Sequence, residues 1–255
     1  MSDEAIIAAF TEARRSQVPL AALPEESAPD IARAYRLQEA IAKRVGWTPM
    51  GWKIGCTSVR AQKALNAPGP FPGPMFAERR FASGDHVPTH PQNRRVVEPE
   101  VAFAMKHSLP PRGASYSVDE VLAAVEAVHP VIEIVSPRTP NAFADPMPWF
   151  IVDCAVNDSI VVGPAHRPLD AETLAGLKAS VTWNGREMEG GTGVNALGGG
   201  QVALAWVAND LNSRGLGLKE GDLVSTGVIT EFFFAALGDR IEARFDLLGT
   251  VTMTF

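Results

Sequence analysis

The sequence predicts an α+β protein: a small helical lobe over residues 1–50, followed by a sheet-rich body over residues 51–255. Two observations carry this reading. Ile31, Leu37, Ile41 and Val45 recur near helical spacing after Pro29 and Asp30, and Gly46 supplies a stop. From Gly51 onward the texture changes to short runs rich in Val, Ile, Phe and Thr, separated by Gly, Pro and Asp, which is the pattern of strands and turns.

Taken in order, the first 45 residues read as helical, and residues 66–74, which hold four prolines, read as irregular. Residues 117–128 predict a helix, with Ser117 and Glu120 in capping-box spacing and His129-Pro130 as its end. Residues 201–212 predict a second helix, stopped near Gly215. The last third alternates strand-like runs with the turn pairs Gly221-Asp222 and Gly238-Asp239.

Composition narrows the function classes. With 46% apolar and 20% charged residues, the chain can bury a sizeable core without staples. Its net charge of -6 and lack of a Lys/Arg run exclude the positive field that a phosphate backbone requires. Two cysteines, Cys56 and Cys154, give no disulfide framework and suit a reducing cytosol. The start Met1-Ser2-Asp3-Glu4 is acidic where a signal peptide is basic, and no apolar run reaches the roughly 20 residues of a membrane span. The reading is a cytoplasmic protein without nucleic-acid or membrane partners.

Chemistry is signalled by acids in the wrong places. In the strand-like run 97–103, Val97, Pro99, Val101 and Phe103 share one face, so Glu98 and Glu100 share the other with Ala102 and Ala104. Pro99 places that strand at an edge or a bulge. The two acids form either a solvated strand face or a covered site that needs a cation. Glu133 stands inside Val131-Ile132-Glu133-Ile134-Val135, where a charge cannot be buried unpaired; its partner is Arg138 or a metal. Asp153 in Ile151-Val152-Asp153-Cys154-Ala155 and Lys53 in Gly51-Trp52-Lys53-Ile54-Gly55 pose the same question. Carboxylates without a Cys-His cluster favour a hard cation, Mg2+ or Mn2+, over zinc. The six glycines of residues 190–200 lack phosphate-loop or dinucleotide spacing, though the amides before the helix at Gln201 offer a place for a substrate carboxylate. The five histidines lack metal spacing, no Gly-x-Ser-x-Gly elbow occurs, and Cys56 reads as a packed thiol.

These residues resemble the 2-keto-4-pentenoate hydratase and 4-oxalocrotonate decarboxylase branch of the fumarylacetoacetate hydrolase superfamily. The resemblance spans nearly the whole chain: Gly51-Trp52-Lys53-Ile54-Gly55, Met75-Phe76-Ala77-Glu78, Val97-Glu98-Pro99-Glu100-Val101-Ala102-Phe103, Ile132-Glu133-Ile134-Val135 with Arg138, Leu197-Gly198 before Ala205-Trp206, and Gly221-Asp222-Leu223-Val224 with Thr226-Gly227. It implies a fumarylacetoacetase-type mixed β-roll and a divalent ion, Mg2+ or Mn2+, on Glu98, Glu100 and Glu133. It further implies catalytic roles for Lys53, Glu78 and Asp153, and substrate contacts from Arg138, Leu197, Gly198 and Thr230. The ligand is then a small 2-oxo acid, and the assembly a homo-oligomer that pairs with an enzyme of the same pathway.

Three departures bear on the substrate. The family's Ala-Asp-Asn-Ala-Ser is Val152-Asp153-Cys154-Ala155-Val156 here, its acid-base aspartate is Glu78, and its His/Asn-Pro after Leu-Gly is Gly199-Gly200. The small and apolar residues Cys154, Val156, Gly199, Gly200 and Phe232-Phe233-Phe234 predict a wall suited to an alkyl or vinyl tail. Hydration of a short 2-hydroxy-2,4-dienoate is therefore favoured. The alternatives are decarboxylation of a 2-oxo diacid held by Arg60, Arg79, Arg80, Arg94 or Arg138, carbon-carbon hydrolysis, and a non-catalytic partner subunit that keeps the fold.

Overall fold

The computed structural model describes residues 2–24 and 27–255; Met1, where the acidic N-terminus begins, lies outside the described residues. Two helices open the chain, α1 (Asp3–Ser16) and α2 (Ile31–Val45). The side chains of Ser2 and Asp30 accept hydrogen bonds from the backbone N–H groups of Ala5 and Arg33, satisfying donors that a helix start leaves open. The body runs through β1 (Pro49–Gly55), α3 (Val59–Ala64), β2 (Phe71–Phe76), β3 (Arg80–Ala82), β4 (Arg95–Met105), α4 (Val118–Ala123), β5 (Val125–Val135), α5 (Pro148–Val152) and β6 (Asn157–Val162). It continues with α6 (Ala171–Gly176), β7 (Lys178–Trp183), β8 (Arg186–Glu187), β9 (Gly191–Thr192), α7 (Gly200–Ser213), β10 (Leu223–Val228), β11 (Phe233–Ala235), β12 (Arg240–Phe245) and β13 (Gly249–Thr254).

The strands form two sheets. The larger has the order β2-β1-β10-β4-β5-β6-β3, with β11 also paired to β4; the smaller has β13-β12-β7-β8, with β9 also paired to β7. β1 with β10 and β3 with β6 are parallel, and the other pairs of the larger sheet are antiparallel, giving the mixed sheet expected. Among the described residues, no helix is long and apolar enough to cross a membrane.

Strand alternation in β4 and β5 places the site. Val97, Val101 and Phe103 of β4 and Ile132 and Ile134 of β5 point into the main core, which they share with α7 and with Val181, Ile241 and Val251 of the smaller sheet. The opposite face is divided along its length. At one end Val96 and Val135 join the apolar cluster of α1, α2 and α5; at the other, Ala102 and Val131 join a small patch with Met75 and Leu223. Glu98, Glu100 and Glu133 lie between these two apolar zones. The N-terminal helices thus pack Ile6, Phe10, Leu37 and Ile41 onto Phe71, Phe76 and Trp149 of the body, sharing a core with it.

Two local expectations are corrected and a third is narrowed. The proline-rich stretch is not irregular throughout: residues 71–76 form β2, antiparallel to β1. β2 is an outer strand of its sheet, so the missing N–H groups of Pro72 and Pro74 are tolerated there. The helix predicted over residues 117–128 has its capping box but ends at Ala123, because Val125 already pairs with Met105 as β5 begins. Of the edge or bulge expected at Pro99, the edge is excluded, since β4 lies between β10 and β5. The irregularity is present: the β10 register shifts between Ser225 and Val228, and β11 pairs with residues 95–97.

Candidate metal centre

The predicted carboxylates converge. Glu98 and Glu133 are directly paired in the β4–β5 ladder, Glu100 lies two residues along the same face, and ligand oxygens from all three lie within 4.8 Å of one another. Glu100 and Glu133 are fully buried, while Glu98 keeps partial access to a cavity. Lys53, delivered by β1, is the only basic side chain paired with them among the described residues: its Nζ lies 3.3 Å from Glu133 Oε2 and donates to the Ala155 carbonyl at 3.3 Å. Asn157 Nδ2 donates to Glu133 Oε1 at 2.9 Å. Ser225 Oγ at 2.5 Å and the Gly227 N–H at 2.9 Å donate to Glu100 Oε2. Gly227 has φ +101°, and a Cβ there would stand 2.0 Å from Thr57 Oγ1, so only glycine brings this N–H to the acid.

One lysine cannot neutralise three carboxylates in a desolvated space. Burial, opposed by Lys53 and aided by Glu133, pushes Glu98 up to about 7. Burial and then Glu133 and Glu98 push Glu100 well above the usual carboxylate range, and burial also raises Glu133. For Lys53, burial alone would lower the pKa, but Glu133, Glu98 and Glu100 raise it, so the amine stays protonated. Glu100 Oε1 and Glu133 Oε2 are buried without a hydrogen-bond partner. Clustered hard oxygen donors, two of them unsatisfied, and a negative excess fit a hard divalent cation.

A cavity of about 380 Å³ opens beside the acids, with Lys53, Glu98, Cys56, Thr57, Ser58 and Arg60 as its polar lining. Most of its other lining residues are apolar. Burial raises the Cys56 thiol to about 11, against the lowering effect of Lys53, so it stays protonated. Ser58 is committed to capping α3 through Ala61 N at 3.1 Å. Arg60 is at the mouth, paired with Glu231 at 2.7 Å.

The remaining expected site residues are not on the cavity wall. Glu78 is exposed past the end of β2, where its carboxylate accepts from the N–H and hydroxyl of Thr48. That is the opposite end of β1 from Lys53, roughly 13 Å along a strand. Accordingly, Glu78→Ala should keep turnover within about twofold of wild type, measured as initial rate. Asp153 is buried with both oxygens engaged, one by Arg14 Nη1 at 2.9 Å and the other by the Arg138 N–H at 2.7 Å. Arg138 is fully buried against Asp158, whose own burial would raise its pKa but which Arg138 and Arg79 hold at about 2. Thr230 is buried and bonds the Glu231 carbonyl. Leu197 donates its N–H to the Thr57 carbonyl at 3.1 Å, so Leu197-Gly198 supports a lining segment from behind. Of the predicted apolar wall, Val156, Phe232 and Phe234 line the cavity, whereas Phe233 packs on Trp183 in the core and Cys154, Gly199 and Gly200 lie off it.

Sequence reasoning missed Asn157 and Ser225, and it noted Gly227 as part of a motif without a role. The one signal available for Ser225 was a hydroxyl inside the apolar run Leu223-Val224-Ser225.

Comparison with known proteins points to one family. A 2-hydroxyhexa-2,4-dienoate hydratase of Comamonas testosteroni is 31% identical over 222 residues, covering 86% of this chain and 81% of the relative. A 4-oxalocrotonate decarboxylase of Pseudomonas putida is 29% identical over 227 residues, covering 88% and 85%. The solved structure of 4-oxalocrotonate decarboxylase from Pseudomonas putida G7, complexed with magnesium and adipate, superposes with a TM-score of 0.86 at 25% identity, over 100% of this chain and 98% of that one. The family profile described as fumarylacetoacetate (FAA) hydrolase C-terminal matches residues 56–255, starting just after the strand that carries Lys53. With the acids of β4 and β5 in place and four-fifths of its length matched, the chain belongs to the fumarylacetoacetate hydrolase family.

Proposed function

We propose that the chain is a divalent-metal-dependent hydratase (a lyase) acting on a 2-hydroxy-2,4-dienoate or its 2-oxo-enoate tautomer. The observation that carries this reading is the set of three carboxylates within 4.8 Å at the end of a mostly apolar cavity. Glu98, Glu100 and Glu133 would hold Mg2+ or Mn2+, and a bound ion supplies a Lewis acid for the carboxylate and 2-oxo oxygens of the ligand. Lys53 is a protonated amine whose Nζ donates to the Ala155 carbonyl and is ion-paired with Glu133 at 3.3 Å, leaving N–H capacity for the ligand. It is the group placed to move protons: ketonisation puts one on C5, and water then adds hydroxyl at C4 and hydrogen at C3. Asn157, Ser225 and Gly227 fix the carboxylates before the ligand arrives, and the apolar wall limits competing water. The relatives named as hydratases support this choice of reaction.

The second reading is decarboxylation of a 2-oxo diacid, favoured by one observation, the guanidinium of Arg60 on the cavity wall. Its engagement with Glu231 and its exposure argue against it as the anchor of a buried carboxylate. Purified protein with Mg2+ should remove the ultraviolet absorbance of 2-hydroxypenta-2,4-dienoate without releasing carbon dioxide. Release of carbon dioxide from 2-oxohex-3-enedioate, with no hydration of the monoacid, would overturn the hydratase reading.

A further inference from the structure

The face that carries the acids continues in an ordered way. In the β4–β5 ladder Glu98 pairs with Glu133, and two residues along the same face Val96 pairs with Val135. β11 adds Phe234 opposite Val96. Three adjacent strands therefore present an apolar row, Phe234, Val96 and Val135, one pleat repeat from the carboxylates, roughly 6–7 Å away. All three residues line the cavity.

Beyond that row the wall is aromatic. Phe143 packs edge-on against Phe150 at 6.0 Å and against Phe234 at 6.3 Å, and Phe234 meets Phe232 at 6.3 Å. Phe143, Phe150, Phe232 and Phe71 all face the same cavity. Its volume of about 380 Å³ falls in the range of roughly 300–1,000 Å³ that accommodates drug-sized ligands. A five-carbon acid held at the carboxylates ends near the first apolar row, leaving the aromatic part of the cavity without a partner. Apart from Lys53 and Glu98 at the acids, the charged side chain of the lining is Arg60, which is bound to Glu231 at the mouth.

We infer that the natural ligand carries an apolar group of phenyl or branched-alkyl size at the end distant from its 2-oxo acid, and that Phe143 and Phe234 select for it. This rests on the 2-oxo acid reading above and adds a substrate class to it. Filling such a pocket gains about 25 cal/mol per Å² of apolar surface removed from water, so a phenyl tail should change affinity by more than a methyl group can.

The test uses unreactive 2-oxo acids and the full chain loaded with Mn2+, by isothermal titration calorimetry: 2-oxobutanoate as the short probe and 2-oxo-4-phenylbutanoate as the long one. The long acid should bind at least tenfold more tightly. In Phe143→Ala that ratio should fall by at least threefold. Phe234→Ala, a change at a half-exposed ring that the fold tolerates, should lower the ratio too. Equal affinity for the two acids, or a long-acid advantage that survives both substitutions, would overturn the tail inference while leaving the 2-oxo acid reading intact. No binding of either acid in the presence of Mn2+ would overturn that reading, and the tail inference with it.

Discussion

Arg14→Met is expected to lower stability by about 3–5 kcal/mol, the cost of leaving a buried charge without its partner. Arg14 comes from α1, is fully buried, and holds both ends of one turn. Its Nη1 donates to the carbonyl and carboxylate of Asp153 at 3.0 and 2.9 Å, and its Nη2 to the Asn157 carbonyl at 2.8 Å. Between those residues Cys154, Ala155 and Val156 all have positive φ, 53°, 52° and 54°. Left-handed backbone costs about 1–2 kcal/mol per non-glycine residue, more for a β-branched one, so the turn persists because its surroundings impose it. Gly73 completes the fit, since a Cβ there would stand 2.3 Å from the Cys154 carbonyl oxygen. The turn presents the Ala155 carbonyl to Lys53 and leads into Asn157, which holds Glu133. Thermal unfolding should fall by roughly 10 °C, and Mn2+ affinity should weaken in the same variant as Glu133 loses its support. Adding Asp153→Asn should recover part of the stability, because no uncompensated carboxylate is then left. A melting temperature unchanged in Arg14→Met would contradict this account of the turn.

What was legible in the sequence follows from what each signal measures. The two-residue alternation of Val97 to Phe103 reports which side chains share a face, and it placed Glu98 and Glu100 together on the face opposite Phe103. An acid flanked by Ile132 and Ile134 reports its own burial, so Glu133 was readable as a charge needing a partner. Neither signal says which partner. Arg138 follows Glu133 by five residues, yet it pairs with Asp158; the lysine of β1 reaches Glu133 instead, through a parallel pairing of β1 with β10 that local pattern does not encode. Asp153 illustrates the same limit from the other side. Its burial was legible, but its partner Arg14 lies 139 residues away on a helix whose surface residues look ordinary. Proline content misled over residues 71–76, because a proline signal reports a missing donor and an outer strand needs donors on one side only. Motif likeness carried residue type to Glu78 but not the Thr48 contacts that hold this longer side chain at the surface.

Lys53→Met is expected to lower the turnover rate by roughly 10²- to 10⁴-fold, the usual contribution of a positioned proton-transfer group. A second effect arises because Lys53 is also, among the described residues, the only cation paired with the three acids. Glu98, Glu100 and Glu133 all have raised pKa values in the fold, Glu98 to about 7. A carboxylate raised in the folded state contributes most below its unfolded pKa, and that contribution is lost as pH rises through the folded value. Metal-free wild type should therefore lose the Glu98 contribution to its melting temperature as pH rises from about 4.5 to about 7. His129, whose burial lowers its pKa from 6.5, contributes in the opposite direction below 6.5 and does so equally in wild type and variant, so the comparison between the two isolates the acids. The lysine's own raised pKa keeps it charged throughout the window. Without it the acids rise further, so Lys53→Met in EDTA should show a steeper loss over the same window. Mn2+ should restore most of the difference at the upper pH in both proteins, since the ion replaces the protons the carboxylates would otherwise take up. Restored stability with turnover still lost separates the reacting role of Lys53 from its structural one. Normal turnover in Lys53→Met, or a melting temperature in EDTA that rises with pH, would remove Lys53 from the reaction and the charge excess from the site.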